Sequence, residues 1–111
     1  MDADLLLFWK SGPNTKLSPP EIARELVWGE EVVGLIDLPV REIIERLKAE
    51  FPQHEEKPGL LAVHAATGSL EVTWSWQHVR VECRGLDVSD RERLIDTIES
   101  FDCMAYETKR A

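Results

Sequence analysis

The sequence predicts an α+β fold: an antiparallel sheet of four to five strands with helices packed on one face. Three observations carry that expectation. Ser69–Arg84 alternates apolar and polar residues twice with one phase change, as strands half-covered by a core do. Val40, Ile43, Ile44, Leu47 and Phe51 form an apolar stripe at helical spacing. Leu5–Trp9 is apolar on both faces, which suits a central strand covered on both sides or resting on a partner.

In chain order, Leu5–Lys10 reads as the first strand and Ser11–Leu17, with Gly12, Pro13 and Asn14, as a loop. Ser18-Pro19-Pro20-Glu21 opens a short helix with a capping box and a proline in the first turn, and Gly29 stops it. Glu30–Asp37 reads as a loop, with a short strand over Val32–Ile36 as the alternative. Pro39 opens the second helix and Pro52 ends it, with Arg41/Glu45 and Glu42/Arg46 spaced to pair on its solvated side. Gln53–Lys57 is polar loop, Pro58-Gly59 a turn, and Leu60–Ala66 a strand.

A two-residue turn at Gln77-His78 makes Ser69–Arg84 a hairpin that sets Trp76 opposite Val79, Trp74 opposite Val81 and Val72 opposite Cys83. Neither turn residue favours positive φ, so one long strand bulged at 77–78 also explains the phase change. Ser89-Asp90-Arg91-Glu92 reads as a capping box for a third helix, faced by Leu94, Ile95, Ile98 and Phe101, and Cys103–Glu107 as the last strand. Without the first helix and the Leu60–Ala66 strand the order is βαββαβ, the ferredoxin-like order. There the first strand lies between the second hairpin strand and the last strand, the other sheet face is open, and Cys83 and Cys103 are not neighbours.

At 111 residues the chain is one domain by size, long enough to fold without metal or disulfide. Thirteen Lys plus Arg against twenty-one Asp plus Glu give a net charge of −8, which disfavours nucleic acid or an anionic membrane as partner. Two Cys outside any Cys-x-x-Cys pair read as buried thiols of a cytoplasmic protein. No secretory signal or membrane-spanning run is visible.

The opening Leu38-Pro39-Val40, the close Phe51-Pro52, Glu71–Trp74 followed by Gln77–Val81, and Phe101–Tyr106 together resemble small bacterial proteins of uncharacterised function and ferredoxin-like α+β type. The likeness spans most of residues 28–110. That group has Cys-Pro-Leu-Tyr-Asp-Pro-Gln where this chain has Cys103-Met-Ala-Tyr106-Glu-Thr-Lys109. The resemblance implies no activity and no catalytic residue; some such proteins look like immunity partners of bacterial toxins.

His54, His64, His78, Cys83 and Cys103 show no metal-ligand spacing, and Cys83 faces inward, where a thiol is inert. Ser75 stands in no nucleophile elbow. No catalytic residue, metal or cofactor is called for. Trp28, Trp74, Trp76 and Tyr106 are each either core or contact. The candidate interaction face is Thr73, Ser75, Arg80 and Glu82 on the open side of the sheet, with Trp76 and Tyr106 at its margin. The expected function is a non-enzymatic protein-interaction module of immunity or adaptor type, binding a protein partner or a second copy. The alternative is a small-molecule binding domain with an enclosed apolar pocket between the sheet and the Ser11–Leu17 or Glu30–Asp37 loops, lined by Trp9, Trp28 or Trp74.

Overall fold

The first strand, β1 (Asp4–Ser11), is the axis of the fold: Leu5 to Trp9 are each 0–1% exposed. A strand buried on both faces needs a layer on each. The computed structural model, which describes residues 4–109, supplies both. On one face Leu6 and Phe8 join the larger core with helices α2 (Val40–Glu50) and α3 (Val88–Glu99). On the other, Leu7 and Trp9 pack against Ile22, Ala23 and Leu26 of helix α1 (Pro19–Val27). The expectation of helices on one face only is therefore corrected: α1 covers part of the face read as open.

Among the described residues the sheet is antiparallel and has seven strands, not four to five. β1 lies between β6 (His78–Arg84) and β7 (Met104–Lys109), and β6 pairs with β5 (Ser69–Trp74). Beyond β5 come β4 (Leu60–His64) and β3 (His54–Lys57). β2 (Leu35–Ile36) is a two-residue pairing with the end of β1, within a segment read as loop.

The β3 segment reads as polar loop because His-Glu-Glu-Lys has no apolar face. It is held instead by the turn through Gly59 (φ 74°) and by charge. Glu56 bridges to Arg41 and Lys48 of α2, each at 2.8 Å. Those two cations hold the Glu56 carboxyl down near about 2.

Ser69–Arg84 is a hairpin rather than a bulged strand, but the turn falls one residue early. Trp74 faces Val79, Val72 faces Val81 and Leu70 faces Cys83, leaving Trp76-Gln77 as the loop. Val72, Val81 and Cys83 point into the α2/α3 core, while Glu71, Thr73, Arg80 and Glu82 point away, as the alternation implies. The α3 cap also moves: Asp87, not Ser89, accepts the Asp90 N–H at 2.8 Å, so the helix starts two residues ahead of the expected box. At α1 the Glu21 carboxylate accepts both the Ser18 N–H and the Ser18 hydroxyl. Arg91 of α3 bridges Asp4 and Glu107, joining the start of β1 to β7. Cys83 and Cys103 are both free and buried. Among the described residues no helix is long and apolar enough to cross a membrane.

The early turn is set by Gln77, the one buried polar side chain among the described residues, 2% exposed. Its Oε1 accepts the Val32 N–H at 2.8 Å and its Nε2 donates to the Val32 carbonyl at 2.7 Å. One amide thus satisfies both backbone groups of a buried loop residue. Gln77→Ala leaves both unpaired and is expected to destabilise the fold by about 2–4 kcal/mol in urea unfolding. A loss below about 0.5 kcal/mol would show that the clamp does not hold the loop.

Candidate functional site

The residues expected to form one interaction face lie in three places. Thr73, Arg80 and Glu82 sit together on the sheet face away from α2 and α3, half-buried. Thr73 is directly opposite Arg80, and Arg80 pairs with Glu82 at 3.3 Å. Tyr106 lies across β1 from them, where its ring meets that of Trp9 at 5.9 Å beneath α1. Ser75 and Trp76 belong to the hairpin turn.

That turn forms without a positive-φ residue. Ser75 replaces the missing glycine chemistry: its Oγ accepts the Gln77 N–H at 3.2 Å and meets His78 Nδ1 at 2.7 Å. The Ser75 N–H closes the turn on the His78 carbonyl. The Ser–His contact therefore fastens a turn. Burial, with Arg80 adding to it, lowers the His78 pKa below its usual 6.5 and favours the neutral ring. Trp76 projects from the turn, 47% exposed, and its Nε1 reaches Glu31 at 3.4 Å. The Leu38 N–H donates to the Trp76 carbonyl. Gln77, Trp76 and Leu38 together bind residues 31–38 to the hairpin.

The same loop is latched to the Ser11–Leu17 loop. Gly34 O accepts from Gly12 N at 3.2 Å and from Thr15 Oγ1 at 2.8 Å, and Thr15 Oγ1 in turn accepts the Gly12 N–H. The approach is so close that a Cβ on Gly34 (φ +97°) would lie 2.6 Å from the Asn14 carbonyl oxygen. Between these fixed loops is an open cleft of about 670 Å³, walled by Lys16, Leu17, Glu25, Glu31, Val32 and Val33. It lies where the sequence placed a pocket, but it is open and no Trp lines it.

A second groove, of about 260 Å³, runs between α1 and the β1/β7 end of the sheet. Leu5 and Tyr106 form its floor, and Ala23, Val27, Trp28 and the Arg24 side chain its wall. Trp28 caps α1, whose last turn closes through Gly29 (φ 82°), and stands 76% exposed. Val33 is 88% exposed. Segment 28–33 thus carries the two most exposed large apolar side chains among the described residues. Sequence reasoning left Trp28 undecided and passed over Val33. The available signal was the charge around them: Glu25, Glu30 and Glu31 make a buried site for this segment costly.

The thiols offer no nucleophile. Burial pushes Cys83 up to about 11 and raises Cys103. Among the described residues no His, Cys, Asp and Glu cluster is placed to hold a metal ion.

Because the folded state lowers the His78 pKa, the unfolded chain takes up that proton first as pH falls. Stability is expected to be level above about pH 6.5 and to decline below it, through the folded-state pKa. Carboxylates such as Glu56 titrate lower, so urea midpoints between about pH 6.5 and 5 isolate the histidine. His78→Asn should flatten that part of the profile; an unchanged slope would locate the effect elsewhere. Comparison of the chain with protein-family models, curated proteins and solved structures finds no match.

Proposed function

We propose that this protein is a non-enzymatic interaction module, of adaptor or immunity type, acting in the cytoplasm on a protein partner. The observation that carries the reading is the exposure of Trp28 and Val33, at 76% and 88%, on backbone pinned at both ends. Large apolar side chains held out in water on a fixed backbone are contact anchors that lose little freedom on binding. Glu25, Glu30 and Glu31 surround them, and the whole chain is at −8, so the partner presents basic residues around an apolar recess.

Two further readings support this one. We read the pairing β7-β1-β6-β5 as a ferredoxin-like unit with β3–β4 added at one edge, a reading in keeping with the resemblance to small bacterial proteins of that type. The cytoplasmic assignment rests on two free, buried thiols.

The full chain, immobilised and exposed to native lysate, should retain one recurrent partner. The Trp28→Ala/Val33→Asp double variant should lose it at least tenfold, with unchanged thermal midpoint, since both side chains are exposed. Repeated recovery of no partner, together with a clean monomer in solution, would overturn the reading.

The cleft of about 670 Å³ favours a second reading, a small-molecule site with Lys16 and Glu31 as polar contacts and Leu17 and Val33 as apolar ones. A ligand screen by thermal shift decides it: compounds that raise the midpoint of the wild type but not of Leu17→Asp would establish it, and a screen without such compounds would remove it.

A further inference from the structure

The sheet has two long outer edges, and they differ. The β3 edge presents Glu55, Glu56 and Lys57, all exposed, and a charged edge repels an added strand. The β7 edge begins Met104-Ala105-Tyr106 without charge, and its Glu107 is already held by Arg91. Among the described residues β7 pairs with β1 alone. In an antiparallel ladder every second residue of such a strand turns its N–H and C=O outward, so β7 offers a row of unpaired backbone groups.

The α1 groove lies beside this edge. Tyr106 is opposite Leu7, on the face covered by α1, and forms the groove floor with Leu5. The wall is Val27 and Trp28, with Arg24 as the one charged lining residue among those described. A strand laid along β7 would turn alternate side chains toward α1, and the first of these enters the groove. Its volume of about 260 Å³ equals about nine waters, enough for a large apolar side chain to displace.

The geometry points to strand addition: β7 and the α1 groove receive an extended segment of the partner, apolar at alternate positions and carrying one carboxylate for Arg24. This rests on the interaction-module reading and gives it a docking mode. The partner is basic where it meets Glu25, Glu30 and Glu31; the inserted strand is the exception, because the groove's charge is positive. A second copy is the poorer occupant. Two copies bring −8 against −8, and of the side chains a copy would turn to this face Tyr106 is already packed on its own Trp9.

The test is a phage-displayed library of random linear peptides panned against the full chain, with the Trp28→Ala chain as counter-selection. Enriched peptides should alternate apolar residues and include Asp or Glu. Trp28→Ala should weaken them at least tenfold, and Arg24→Glu should weaken them with rescue by Asp→Lys in the peptide. Peptides N-methylated at every second residue should fail in one phase and bind in the other, because only one phase donates to β7. Equal binding of both phases, or no sequence enriched over the Trp28→Ala chain, overturns strand addition. So does self-association of the chain that Met104→Lys on β7 abolishes, which would make a second copy the occupant. A lysate partner that tolerates Trp28→Ala and Met104→Lys but is lost with Val33→Asp overturns strand addition and leaves the module reading intact.

Discussion

Burial of β1 on both faces is the constraint from which the architecture follows. Leu5 to Trp9 are shielded from water, and each such side chain contributes about 1.5–3 kcal/mol only when the layer on its own face is present. α2 and α3 answer Leu6 and Phe8; α1 answers Leu7 and Trp9. The cover is tight enough that the Trp9 indole N–H is buried without a partner. An orphan donor costs about 1–3 kcal/mol, which the burial of so large a ring offsets. Because α1 is short, it covers β1 and reaches only the margin of β7. The groove beside Tyr106 is a consequence of that shortfall.

The second organising contact is made by a side chain. Gln77 stands in for a strand, donating to and accepting from Val32 as a neighbouring backbone would. With the Leu38–Trp76 bond and the Gly12–Thr15–Gly34 latch, it turns two loops and a hairpin tip into one rigid rim. The cleft between those loops is preformed for the same reason.

These two features also mark how much could be read in advance. Strands and helices whose apolar residues keep a regular period were legible: β1, α2, the Ser69–Arg84 hairpin and α3 stand where the alternation and the stripes place them. Glu55 and Glu56 hid β3, since its pairing depends on a turn and on cations from another element. The hairpin register was missed by one turn position, because the choice between Gln77-His78 and Trp76-Gln77 is made by Val32, forty-five residues away in sequence. The side assigned to α1 was missed although Leu5–Trp9 carried the clue: two apolar faces require two covers. Of the candidate site, the Thr73–Arg80–Glu82 patch was legible from the pleat. Its separation from Tyr106 across β1 follows from the expected strand order, but the cover over Tyr106 does not, because that depends on which face the short first helix takes.

Rigidity and exposure together distinguish segment 28–33 from an ordinary surface loop. An apolar side chain on a mobile loop can turn back onto the protein, and its exposure then says little. Trp28 is fixed by the closing turn of α1, whose Gly29 and Glu30 N–H groups bond to Leu26 and Glu25 carbonyls. Val33 stands between Val32, clamped by Gln77, and Gly34, latched to Thr15. Keeping both in water is unfavourable to the isolated domain, and the hydrogen bonds that hold them there do nothing to reduce that cost. Such an arrangement is coherent when the side chains are buried in a complex, where a prearranged backbone leaves little conformational entropy to lose.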